Sequence, residues 1–408
     1  MVMDKKIVFF KWLVIISVAI RMSMVFFVPF GQTVKYGLEG LNDEPAHFNY
    51  IKYLGVNKTF PVQTEHVQMK DSFKNNTFEY YQPPLYYMVS ASLYGILGEK
   101  GTFYFSRLLS FIAGLITLIL FYKIMRLMGT SELAAYGALL FFSLNFTNAY
   151  FSSLISNDSF GWLTCSLLIY YMVSLYKTLT ENPDRQILNK HIRTLGIILA
   201  IGMVIKSSIV VFYPVIFIYF VMLAVKFKSP KIINNGIFIL LAASVLVSPW
   251  YLRNYILYKS IFALEVGFGP SGNHMPVLSE IYFVIIRTIQ SFWFPMQHLQ
   301  YSIQTKFFTM MISVICFAHA AVAFYFYKKI RKPVFLEIVF MLIVASTAAA
   351  YISLHIKWCN PEARYLFQAL IPIVYFMFVP LSKVVKDNWF ISIVLVESIL
   401  GYGYLLFV

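Results

Sequence analysis

The sequence predicts an all-α protein that crosses a membrane many times. Of its 408 residues, 59% are hydrophobic and 12% charged, too little polar material to cover a water-soluble domain of this length. Many Lys and Arg residues fall in short clusters between apolar segments, so the net charge of +15 marks topology rather than a nucleic-acid groove. Cys165, Cys316 and Cys359 lie in or beside apolar segments without metal or disulfide spacing, which leaves the redox compartment open.

A spanning helix takes about 20 apolar residues, and the basic clusters orient each one. Lys5/Lys6, Lys123/Arg126, 177–193, 226–231, 328–332 and Lys383/Lys386 are assigned to the cytoplasmic side. The segment from Ile7 to Phe30 follows Asp4-Lys5-Lys6 as a signal peptide would, yet it is too long and lacks a small-x-small cleavage site. It reads as a retained membrane helix. Spans are expected near 7–30, 103–126, 132–152, 159–177, 194–207, 208–226, 232–252, 307–327, 334–354, 365–382 and 389–407. That is about eleven crossings, with the N-terminus cytoplasmic and the C-terminus outside.

The organisation is a single membrane domain over 1–408: a first helix (7–30), an outer loop with juxtamembrane helices (31–102), a helical core (103–252), a second outer loop (253–306) and C-terminal helices (307–408). Leu85 to Leu97 is short and rich in Tyr and Ser. It reads as an amphipathic helix in the outer interface, since a crossing there would move Lys123 and Arg126 outside. The pair 194–207 and 208–226 reads as two short crossings because basic residues flank both ends. The second outer loop holds a Gly/Pro-rich turn at 267–276 and an apolar stretch from Ile281 to Phe294.

The chemistry-bearing residues gather on the outer side. Asp43 and Glu44 precede Pro45, which suits the first turn of a helix that Phe48 to Leu54 continue. Asp43 can serve as an N-cap, and a capping carboxylate stays ionised and is held rigidly enough to accept a proton. His47 lies one turn from both carboxylates, so Asp43, Glu44 and His47 form the candidate grip for a divalent metal; otherwise no cofactor is required. Arg107, Lys206, Arg253, Lys357 and Arg364 are isolated cations near the outer helix ends, with Arg21 deeper in the first helix. Each alone can snorkel or pair with a structural carboxylate. Together they suit the phosphate or diphosphate head group of a membrane ligand. Asp158, in SSLISNDSF, starts a helix as an N-cap, or as a carboxylate facing an acceptor or a cation.

The DE pair in DEPAHF, followed by QPPLYY, resembles the C-fold (GT-C) glycosyltransferases, in particular bacterial relatives of protein O-mannosyltransferases and of the lipid A aminoarabinose transferase. FSRLLS at 105–110, SNDSF at 156–160, PWYLRN at 249–254 and EARYLFQALIP at 362–372 continue the resemblance in order. It implies a sugar donor linked to a polyprenyl phosphate, and inverting transfer to a glycan, lipid or protein hydroxyl on the non-cytoplasmic face. It implies Asp43 as general base with Glu44 as its positioning partner. Arg253 and Arg364, with Lys206, would hold the lipid phosphate, and Arg107 and Lys357 are further phosphate candidates. His47, Gln82, Tyr86 and Asp158 are the candidate substrate contacts. Gln82 stands where relatives often carry Lys or His, which puts weight on the other cations.

The expected location is a multi-pass plasma membrane with an extracytoplasmic site, and no nucleic-acid partner is expected. A transporter or flippase of a lipid-linked or anionic substrate is the alternative, although transporters favour repeated halves and mid-membrane charges. A non-catalytic binder of a lipid-linked sugar is the other.

Overall fold

A computed structural model describes residues 2–27, 44–63, 79–181, 185–268, 278–293, 303–330, 334–357 and 362–403, and every regular element among them is helical. In chain order these are α1 (Val2–Phe27), α2 (Glu44–Asn57), α3 (Leu85–Ala91), α4 (Tyr94–Leu127), α5 (Glu132–Leu144), α6 (Phe146–Phe151), α7 (Asp158–Glu181) and α8 (Arg185–Ile205). There follow α9 (Phe212–Lys226), α10 (Pro230–Tyr258), α11 (Leu264–Phe268), α12 (Leu278–Trp293), α13 (Ile303–Ile330), α14 (Phe335–Lys357), α15 (Leu370–Val384) and α16 (Asp387–Gly403). Two 3-10 turns, Ser207–Val211 and Ala363–Ala369, lead into α9 and α15.

Wherever the expected spans fall on described residues they are mainly helical, although the segments at 132–152 and 389–407 are not among those long and apolar enough to cross. Among the described residues, nine segments are long and apolar enough to cross a membrane. Their outward faces are apolar: Trp12 on α1 and Phe238, Val245 and Leu246 on α10 are each more than 60% exposed. Water would penalise such faces, and lipid solvates them. The chain is a multi-pass membrane protein. Inside, α4 packs on α7, α7 on α8, and α13 on α15, around one apolar core that runs from Phe10 to Val394.

Several boundaries differ from the expected ones. The span expected at 132–152 breaks at Asn145, where ψ swings to 114° and the side-chain oxygen accepts the Asn148 N–H at 2.9 Å. The amide thus ends α5 and starts α6, the competition with backbone bonding for which Asn is suited. Arg21 satisfies the freed end of α5: its guanidinium donates to the carbonyls of Phe142 and Ser143, the latter at 2.6 Å, and to Asn148 Oδ1 at 2.8 Å. It is a buried cation at a helix C-terminus.

The interface helix expected over Leu85–Leu97 is instead α3 and the start of α4, with a turn at Gly98 (φ 65°, ψ −173°), a left-handed conformation that only glycine adopts without strain. The crossings expected at 194–207 and 208–226 are separate helices. The break between them is Lys206, extended at φ −151° and ψ 123°. In the second outer loop the apolar stretch forms α12, which turns Tyr282, Phe283 and Ile285 outward and buries Gln290 and Trp293. The Gly/Pro-rich turn falls almost wholly outside the described residues.

Candidate active site

The start of α2 is anchored from three sides. Arg107, midway along α4, donates Nε to Glu44 Oε1 at 2.8 Å and Nη2 to Oε2 at 2.7 Å, and its Nη1 donates to the Val25 carbonyl of α1 at 3.0 Å. Glu44 Oε1 also accepts the Ile155 N–H at 2.8 Å. Both side chains of the pair are almost fully buried, where a bidentate geometry and complete hydrogen bonding offset desolvation. Glu44 therefore ties α2 to α4, to α1 and to the loop before α7.

That loop presents Asp158, the first residue of α7. Its Oδ1 takes Lys206 Nζ at 2.6 Å, while Oδ2 accepts Ser156 Oγ at 2.9 Å and faces Arg364 Nη1 at 3.5 Å. Arg364 also pairs with Glu362 and lies over the Phe151 ring, 4.8 Å from its centroid. Asp158 is thus a shared counter-ion for two cations brought in by segments far apart in sequence. With Glu362 included, this cluster carries no net charge.

A relay of amides connects the cluster to Arg253. Lys206 Nζ also donates to Asn157 Oδ1 at 3.1 Å, and Asn157 Nδ2 reaches Gln82 Oε1 at 3.4 Å. Gln82 bonds the Tyr81 hydroxyl at 3.3 Å, and the Tyr81 carbonyl accepts from Asn254 Nδ2 at the same distance. Arg253, half-buried near the end of α10, stacks on Trp250 at 4.6 Å and donates to the Pro61 carbonyl at 2.6 Å. Among the described residues no carboxylate pairs with Arg253, unlike Arg107, Lys206 and Arg364.

On the other flank of α2, His47 Nδ1 meets the Tyr87 hydroxyl at 2.7 Å, and Tyr50 stacks on Tyr87 with centroids 4.2 Å apart. Tyr86 is buried, its hydroxyl 3.2 Å from Ser110 Oγ. Burial pushes the phenols of Tyr50, Tyr86 and Tyr87 upward, and that of Tyr80 up to about 12. All four remain O–H donors at physiological pH.

Glu44, Gln82, Asp158, Lys206, Arg253 and Arg364 thus share one end of the helix bundle, linked by hydrogen bonds. His47 and Tyr86 flank them through the aromatic packing of α2 and α3, and Arg107 is held beneath Glu44. Asp43 and the side chain of Lys357 lie outside the described residues. Of the expected metal ligands, Glu44 has both oxygens engaged by Arg107 and His47 faces Tyr87. Among the described residues no three His, Cys, Asp or Glu side chains converge. Asn157 and Asn254 escaped the sequence reading. Each stands beside a singled-out charge, in SNDSF and WYLRN, and that adjacency was the available signal.

Residues 81–251 match the family described as dolichyl-phosphate-mannose-protein mannosyltransferase. No curated protein matches the chain in sequence. Among solved structures, ArnT from Cupriavidus metallidurans bound to undecaprenyl phosphate aligns with a TM-score of 0.56 at 12% identity, over 96% of this chain and 63% of that one. The Archaeoglobus fulgidus oligosaccharyltransferase in complex with Zn and sulfate aligns at 0.53 and 12% identity, over 95% of this chain and 52% of that one. The chain therefore spans less than two thirds of each neighbour's length. Its fold is the GT-C fold of membrane glycosyltransferases.

Proposed function

We propose that this protein is a membrane glycosyltransferase that moves a sugar from a polyprenyl-phosphate donor to an acceptor hydroxyl, with inversion at the anomeric carbon. The observation that carries this reading is the continuous network joining the acidic start of α2 to Asp158, Lys206, Arg364 and Arg253. The family match over 81–251 and the undecaprenyl phosphate bound by ArnT support a lipid-phosphate donor.

The chemistry follows from where charge develops. Asp43, one residue before the anchored Glu44, takes the proton of the acceptor hydroxyl as its oxygen bonds to the anomeric carbon. The carbon–oxygen bond to phosphate breaks, and polyprenyl phosphate leaves with the electron pair. Cations at the leaving oxygen stabilise that charge, and Arg253 has no carboxylate partner among the described residues. Glu44 keeps the base end of α2 rigid and is a positioning residue. Tyr50, on which the Arg253 charge acts, lies six residues beyond Glu44, about 9 Å further along the helix axis. The site opens to the non-cytoplasmic face, with the N-terminus cytoplasmic.

The test is turnover of radiolabelled polyprenyl-phosphate sugars by purified protein in lipid nanodiscs, with a membrane lipid extract, glycans and peptides as acceptors. Transfer by the wild type, abolished in Asp43→Asn while donor binding persists, is the expected result. Equal transfer by Asp43→Asn would remove Asp43 as base. Donor flux across the bilayer without transfer would move the protein to the transporters.

A further inference from the structure

Beside Arg253 lie two polar atoms that the fold buries and leaves without a protein partner: the hydroxyl of Tyr50 and the indole Nε1 of Trp250. Tyr50 is 0% exposed and Trp250 6%. A buried donor of this kind carries the full desolvation penalty unless something accepts from it, so each needs a reason.

Their surroundings restrict what that acceptor can be. Trp250 lies under the Arg253 guanidinium, on the helical turn before it. Tyr50 reaches the same place from α2: its ring meets Tyr80 at 5.4 Å, the Tyr80 N–H donates to Gln63 Oε1 at 3.1 Å, and Gln63 follows two residues after Pro61, whose carbonyl Arg253 binds. The Arg253 charge acts directly on the Tyr50 phenol, whose own burial keeps it protonated. An indole N–H and a guanidinium are donors only, and the Pro61 carbonyl is already occupied. The place offers donors and the positive charge of Arg253, which has no carboxylate partner among the described residues; the nearby carboxylate of Glu79 acts on Tyr87, behind the Tyr50 ring.

We infer that Tyr50 and Trp250 are neutral hydrogen-bond donors that complete an oxyanion site at Arg253, taking the phosphate of a lipid phosphate ester. This rests on the glycosyltransferase reading and assigns its leaving-group side. The neutral donors add directional contacts that a lone half-buried Arg253 lacks. They put the phosphate at α10 and α2 rather than on Lys206 and Arg364, which Asp158 and Glu362 neutralise.

The experiment measures binding of undecaprenyl phosphate, with undecaprenol as the phosphate-free control, to full-length protein in nanodiscs. Tyr50→Phe and Trp250→Phe keep the rings, and thermal unfolding checks that both variants fold. Each is expected to weaken undecaprenyl phosphate about tenfold, the worth of one hydrogen bond to a charged group, with undecaprenol binding unchanged. Inorganic phosphate serves as competitor, and displacement of the lipid by micromolar amounts would overturn the lipid-ester assignment. Wild-type affinity for undecaprenyl phosphate in both variants, with loss in Arg253→Ala, would overturn the role of Tyr50 and Trp250 and leave the glycosyltransferase reading standing. A wild type that binds undecaprenyl phosphate no better than undecaprenol would overturn both.

Discussion

Arg107 holds Glu44 through two parallel hydrogen bonds of 2.8 and 2.7 Å, and both side chains are at most 2% exposed. The second residue of the DE pair is thereby a structural anchor as well as a neighbour of the proposed base. Removing one partner strands the other's charge in a dry interior, which costs about 3–5 kcal/mol. Arg107→Ala and Glu44→Ala should each lower the unfolding temperature strongly, and the Glu44→Leu/Arg107→Leu double variant should recover much of the loss. A double-mutant cycle read by thermal unfolding checks this. Additive losses would show that the two residues act independently.

Asp158 answers Lys206 and Arg364 together, so its charge matters more than its hydrogen bonds. Asp158→Asn keeps the shape and leaves two neighbouring cations with a neutral amide. A loss of about 3–5 kcal/mol is expected. Adding Lys206→Met should return part of it by removing one of the stranded charges. If Asp158→Asn unfolds at the wild-type temperature, the cluster contributes nothing to stability.

Arg253 and Arg364 should separate by phenotype, although both are outer cations in the sequence. Arg364 is tied to Asp158 and Glu362 and lies against Phe151, so Arg364→Ala should lower thermal stability. Arg253 has no carboxylate partner among the described residues, and Arg253→Ala should weaken donor binding at least about tenfold with little change in unfolding temperature. Paired melting and donor-binding curves on the two variants decide it. The reverse pattern would place the phosphate at Arg364.

How much of this was legible depended on the range of the interaction. Helix positions were readable because apolar length and basic clusters are local signals, and nine of the described segments are long and apolar enough to cross a membrane. The break at Asn145 was not, since a polar residue in an apolar run reads as a tolerated exception until its side chain is seen to cap α6. The outer cations were legible as a set, but their partners were not. Nothing in the sequence says that Arg107 meets Glu44 across 63 positions, or that Arg364 meets Asp158 across 206. Tyr50 and Trp250 were invisible for a related reason: aromatic residues are ordinary in membrane helices, and only burial without a partner distinguishes these two.

The helix pair behind Lys206 depends on a close approach at Gly202. A methyl group there would lie 2.4 Å from Thr164 Cγ2 and 3.1 Å from Ile209 Cγ2. Thr164 cannot swing aside cheaply, because it is buried and its hydroxyl donates to the Phe160 carbonyl at 2.8 Å. Small residues of this kind let membrane helices pack backbone to backbone, here α8 on α7. Gly202→Ala should therefore cost about 1–3 kcal/mol by overpacking. It should also weaken donor binding, since α8 ends at Ile205 and a displaced α8 moves Lys206 and, through Asn157, Gln82 and Asn254, disturbs the position of Arg253. Gly95→Ala is the control, because nothing lies within 4 Å of its added methyl, and it should be neutral in both measurements. Thermal unfolding and donor titration of the two variants test the coupling; a Gly202→Ala protein that melts and binds like the wild type would mean that α7 and α8 are packed more loosely than this.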